Sequence, residues 1–238
     1  NDSTTPNEPN YVPDNETKIK KIEEAYKCHD YFRCGTLLRQ ECERCLNELL
    51  PDSFRIKADP NTGASISKNL DDQICSLEEF CKHEQIDYTP FKDLKTYKDL
   101  FLNSTAHNDI TSPFYRNEIK ICKQAITLLS QINRAKTIDC HRDLSIIQNN
   151  KKGENFTIRL RLREPLRLLE YSDEKRISYY NKCEILRIIS PNIDMNVNEG
   201  YESIYVAYKE ICKRYDLIKQ DNLLDILQDR GELLRNKF

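Results

Sequence analysis

Two small groups of residues have the types and spacing to do chemistry. Arg39 and Glu43 stand four apart, and on a helix side chains at that spacing meet on one face. They sit one position off an apolar stripe of Leu38, Cys42, Cys45 and Leu49, so they belong on the flank of a core-facing helix. The plain alternative is a surface ion pair worth about 0.3–0.5 kcal/mol. His107 lies in a polar stretch, Asn103 to Asp109, whose short side chains hydrogen-bond locally and fix a turn. An imidazole held in such a turn trades protons near neutral pH. The second group is Arg159, Arg161 and Arg163, which alternate with Ile158, Leu160 and Leu162. That alternation predicts a half-buried strand with three guanidinium groups on its outer face. With Arg167 nearby, this is the best local match to a phosphate backbone. The alternative is a solvated strand face paired with Glu154, Glu164 or Glu170.

Other constellations carry less. Cys42 and Cys45 have a C-x-x-C spacing inside a predicted helix. Cys28, His29, Cys34, Cys75, Cys81 and His83 supply no second pair at zinc-site spacing, so no metal site is expected. No Gly-x-x-x-x-Gly-Lys loop is present, which removes nucleotide hydrolysis by a P-loop on this chain, and no Gly-x-Ser-x-Gly elbow is present to support serine-triad hydrolysis. Tyr179, Tyr180, Tyr201, Tyr205 and Tyr208 read as core or interface residues rather than base-stacking platforms.

The elements that must position these residues follow from periodicity. Residues 1–17 read as a disordered lead rich in Asn, Pro and Thr. Helices are predicted at about 18–31 and from Phe32 or Gly35 to Leu50, ended by Pro51. A loop spans 52–70, with a turn at Pro60 to Gly63. A helix begins near Ser76, where Ser76 and Glu79 resemble a capping box. Another begins at Thr89 and Pro90 and turns Phe91, Leu94, Tyr97 and Phe101 inward. A long helix runs from Ser112 and Pro113 to about Arg134. After Lys136, Leu144 to Ile147 reads as a short strand, Asn149 to Asn155 as a turn, and the arginine segment as a second strand. Helices are expected again at about 173–189, 200–218 and 221–236. The predicted class is therefore mainly α: a helical domain at 18–135, then a small β-hairpin with a helical tail at 136–238.

Two segments carry a resemblance. Tyr26 to Pro51, with Arg33, Leu38, Arg39, Glu43 and Leu46, and Leu94 to Glu118, with Asn103, His107, Asp109 and Ser112, resemble the HEPN-type helical domain. More narrowly, they resemble the form found toward the C-terminus of SMC-like ABC ATPases of bacterial anti-phage systems. The likeness covers about 18–135, with a weaker echo to about 170. HEPN domains include RNases, among them anticodon nucleases fused to ABC ATPases, which place an Arg and a Glu four apart on one helix and a His further on. The resemblance implies a catalytic set of Arg39, Glu43, Asn103 and His107. Cleavage by the RNA's own 2′-hydroxyl needs no metal or cofactor: His107 moves the proton, Arg39 stabilises charge on the phosphoryl oxygens, and Glu43 orients either one. It also implies RNA as partner, with tRNA a candidate, together with an ABC-type ATPase region or subunit and a homodimer. Leu102 stands where many such RNases carry an Arg. That departure supports a second class of function, a non-catalytic interaction or dimerisation module of an ABC-ATPase defence complex.

The net charge of −2 supplies no global attraction to nucleic acid, so binding must use a local patch. Only 5 of the 238 residues are Gly, which argues against Gly-rich phosphate loops and many-stranded β folds. No apolar run reaches the roughly 18 residues of a membrane span. The first residues lack Met and the apolar core of a signal peptide, so the chain reads as a processed product or a piece of something longer. The ten cysteines and the sequons at Asn1, Asn15, Asn103 and Asn155 admit a secreted scaffold. But Cys42, Cys45, Cys122 and Cys212 fall on apolar stripes, where free Cys acts as a small core residue. Reduced thiols and a cytoplasmic location are expected.

Overall fold

Side-chain caps fix where several of the helices begin. In the computed structural model, which describes residues 17–103 and 116–237, α1 spans Lys18–Lys27 and α2 spans Tyr31–Leu49. Asp30 caps α2 by accepting the Arg33 N–H at 3.0 Å. A one-turn helix, α3 (Asp52–Arg55), leads into a short hairpin of β1 (Ile56–Ala58) and β2 (Ser65–Ser67). Helix α4 spans Leu70–His83 and is capped by Asn69, whose side chain accepts the Asp72 N–H at 2.9 Å. The predicted capping box at Ser76 is thus mid-helix, its hydroxyl bonded back to the Asp72 carbonyl at 2.9 Å. A 3-10 turn at Thr89–Phe91, α5 (Leu94–Tyr97) and a π-turn at Lys98–Leu102 bury Phe91, Leu94, Tyr97 and Phe101 as expected. Helix α6 spans Arg116–Gln131.

Beyond α6 the expectation of a mainly α protein is overturned. Nine further strands form two antiparallel sheets. The larger, six-stranded, has the order β11-β10-β4-β5-β8-β9. It comprises β4 (Asp143–Asn149), β5 (Asn155–Leu162), β8 (Cys183–Ser190), β9 (Ile193–Tyr201), β10 (Leu227–Asp229) and β11 (Glu232–Leu233). The smaller sheet, β3-β6-β7, contains Asn133–Ile138, Leu166–Tyr171 and Glu174–Ile177. One long helix remains, α7 (Ile204–Tyr215), capped by Ser203, whose hydroxyl accepts the Tyr205 N–H at 3.2 Å. The small hairpin and helical tail are therefore a sheet-built half.

Both failed helices have a physical cause. The segment 173–189 contains β7 and β8. A bulge between Ile185 and Arg187 shifts the register of β8 against β5 and β9, so Ile185 and Ile188 are both buried though three apart. A bulge thus imitates helical spacing in the sequence. In 221–236, Leu223, Leu227 and Leu234 are buried, again at helix-like intervals. The chain turns back there because Arg230 (φ 54) and Gly231 (φ 83) are both left-handed, joining Asp229 to Glu232 as a two-residue hairpin turn.

Two apolar cores result, one among the helices and one between the large sheet, the small sheet and α7. The small sheet is the wall between them. Leu168 and Leu169 are neighbours on β6, yet Leu168 packs into the strand core and Leu169 into the helical core. On the helix-facing side, the register places Arg134, Leu169 and Arg176 in one row across β3, β6 and β7. Glu84, just past α4 and fully buried, closes this seam. It accepts from Ser178 Oγ at 2.5 Å, Tyr179 N at 2.9 Å and Arg176 Nη1 at 2.8 Å. Satisfying a carboxylate in this way is what makes its burial tolerable.

Candidate functional site

Helix α2 is held by its stripe: Leu38, Cys42 and Leu46 are fully buried and Cys45 nearly so. Arg39 and Glu43 consequently emerge at its flank, with Arg39 24% and Glu43 41% exposed. Arg39 Nε donates to Glu43 Oε1 at 3.0 Å, and its Nη1 donates to Asn103 Oδ1 at 2.6 Å. Asn103 directly follows the π-turn, and its N–H donates to the Lys98 carbonyl. The burial of Phe101 and Leu102 anchors that turn beside α2. The sequence-predicted Arg39, Glu43 and Asn103 therefore form one hydrogen-bonded chain. His107 lies outside the described residues.

The chemistry open to this arrangement is that of an oriented cation. Glu43 and Asn103 fix the plane of the Arg39 guanidinium and leave further N–H groups without a partner among the described residues. Those groups suit an anionic oxygen. Leu102 is 0% exposed and part of the helical core, so no second cation is offered from that position.

The arginine segment forms β5 with the predicted alternation: Ile158, Leu160 and Leu162 are buried. Its outer face is largely neutralised by neighbouring strands. Arg161 donates to both oxygens of Asp143 at 2.7 and 3.2 Å, and Arg163 pairs with Glu184. The partners are thus cross-strand carboxylates rather than Glu154, Glu164 or Glu170. Within the stripe only Arg159 has no ion pair among the described residues, and its cross-strand neighbour Arg187 is occupied by Asp194 at 2.7 Å.

All ten cysteines are free, and Cys34, Cys42, Cys45, Cys81, Cys122, Cys183 and Cys212 are buried. Burial pushes the Cys34 thiol up to about 11 and Cys45 to about 12, so they behave as small apolar groups rather than nucleophiles. No group of three His, Cys, Asp or Glu side chains placed to hold a metal occurs among the described residues. No helix among them is long and apolar enough to cross a membrane.

The seam between helices and small sheet escaped the sequence reading. Glu84 ends a helix, where an exposed carboxylate is ordinary. The sequence pattern puts Arg134 at the end of a helix, but that helix stops at Gln131. No local signal marks either as a buried charge, because their partners come from the end of β7 and the segment just after it, 44 to 95 positions away. Comparisons with protein-family models, with curated proteins and with solved structures gave no match.

Proposed function

We propose that the chain is a HEPN-type, metal-independent endoribonuclease effector, acting on RNA with tRNA a candidate substrate, through Arg39, Glu43, Asn103 and His107. The observation that carries this reading is the 2.6 Å bond from Arg39 to Asn103. It joins residues 64 apart in sequence, and Asn103 stands four positions before His107. A charge-assisted bond that short orients a guanidinium for an anion. The free state of all ten cysteines supports a cytoplasmic setting.

Cleavage tests the reading. His107→Ala and Arg39→Ala are expected to reduce RNA cleavage by about two orders of magnitude or more, and EDTA is expected to have no effect. Wild-type protein that cleaves no structured RNA, alone or with an ABC-type ATPase partner, would sink it. One observation favours a second reading: Leu102 is core, and the cation common at that position in such RNases has no counterpart there. On that reading the chain is a non-catalytic module that assembles or dimerises within an ABC-ATPase complex. His107→Ala should then change the sedimentation of the assembly instead of a cleavage rate.

A further inference from the structure

A cleft of about 870 Å³ runs along the seam between the helical half and the two sheets. Arg39, Glu43 and Asn103 do not line it. Its charges can be matched one by one. Arg55 is taken by Asp52, Lys57 by Asp72, and Glu48 by Arg44. Lys182 lies between Glu164 at 3.8 Å and Glu202 at 3.5 Å. Two guanidinium groups have no carboxylate partner among the described residues, and because Lys182 has two, the lining carries a net surplus of one positive charge. Arg134 is half-buried and reaches only neutral groups, donating to Ser178 Oγ at 3.2 Å and to the Tyr180 carbonyl at 3.4 Å. The Arg167 guanidinium has no hydrogen-bond or ion-pair partner among the described residues.

These two arginines share one face of the small sheet. Arg134 is paired with Leu169, two positions along β6 from Arg167, which makes them diagonal neighbours. Burial first, with the nearby charge of Arg167 acting in the same direction, brings the Arg134 pKa down to about 10. Glu84 and Glu164 oppose that shift, but Glu84 is already committed to Arg176. Two like charges gathered in a partly dry cleft are costly unless something negative joins them.

The same cleft holds unspent hydrogen-bond donors. Tyr180 Oη and Arg55 Nε are buried without a hydrogen-bond partner, and both residues line it. Such orphans are rare in native proteins and call for an explanation. Beside them the cleft wall carries exposed apolar side chains, Ile56 and Val206. Two neighbouring guanidinium groups without a carboxylate partner offer paired N–H donors in the fork geometry that suits a tetrahedral phosphoryl group.

We propose that this cleft binds a phosphate monoester, held by Arg134, Arg167, Tyr180 Oη and Arg55 Nε, with the rest of the ligand lying along Ile56 and Val206. The group is either that of a free mononucleotide or the 5′-phosphate end of an RNA strand. The inference does not depend on the Arg39 site, and cleavage activity and cleft binding can fail separately.

Calorimetric titration of the full chain decides it, with inorganic phosphate, adenosine monophosphate, adenosine, and a short RNA with or without a 5′-phosphate as probes. Saturable binding is expected for the phosphate-bearing probes and not for adenosine or 5′-hydroxyl RNA. Arg167→Gln should weaken binding about ten- to a hundredfold, and Tyr180→Phe about threefold. Tighter binding of the mononucleotide identifies a small ligand; tighter binding of the phosphorylated RNA identifies a strand end. Melting curves monitor folding, and if Arg167→Gln destabilises the chain the Tyr180→Phe result decides. Absence of saturable binding by every phosphate-bearing probe overturns the proposal. So does affinity unchanged in both variants.

Discussion

Arg39 illustrates what a single side chain gains from geometry. As an i, i+4 pair with Glu43, more than a third exposed on the carboxylate side, it contributes at most about 0.5 kcal/mol to stability. The third partner, Asn103, gives the pair its functional interest. Arg39→Lys keeps the charge but loses the planar fork that serves Glu43 and Asn103 together. On the proposed function, this variant should melt within about 1 °C of wild type yet lose cleavage about as severely as Arg39→Ala, measured on the same RNA. Glu84 is the opposite case. It is fully buried and holds Arg176, Ser178 and the Tyr179 N–H. Glu84→Ala strands all of these and leaves the surplus of positive charge unopposed, so a loss of about 3–5 kcal/mol is expected in denaturant titration. An unchanged unfolding midpoint would show that the seam is not stabilised through this carboxylate.

At the scale of elements, local signals were reliable where packing agreed with them. Helix α2, the inward Phe91 to Phe101 series and the alternation of β5 were all legible, because each has one buried face at its own period. In the candidate site, the Arg39–Glu43 pair was legible from spacing, and Asn103 only through the family resemblance. Its bond to Arg39 was not legible, because it depends on how the π-turn packs beside α2. The strands at 174–190 and 227–233 were missed because a bulge and a left-handed turn break the alternation that strands usually show. The second of these can be probed. Arg230 adopts φ 54 beside Gly231, a conformation that suits Asn far better than Arg. Arg230→Asn should raise stability by up to about 1 kcal/mol, seen as a higher melting temperature. A lower one would show that the side chain of Arg230 makes a compensating contact.

For the whole molecule, acid response follows from how the C-terminal hairpin is fastened. Burial raises the pKa of the Asp229 carboxyl, but hydrogen bonds from Lys237 and Arg142 outweigh it and hold the group below the usual aspartate range. A depressed folded pKa means that its stabilisation is fully present above the unfolded value, about 3.9. It is lost as pH falls through the folded value. Asp229→Asn should therefore destabilise the chain at neutral pH and flatten the acid limb of its stability profile; parallel acid limbs for variant and wild type would contradict this. The placing of Leu168 and Leu169 has a wider consequence. Adjacent residues of one strand serve opposite cores, and a cut between residues 135 and 136 falls inside β3. Neither half can melt without stripping a wall from the other. Heating should thus give one calorimetric transition rather than two, and an isolated 18–135 fragment should lack the sharp cooperative melt of the intact chain. What the sequence presents as two cassettes should therefore behave thermodynamically as a single cooperative unit joined through a shared strand.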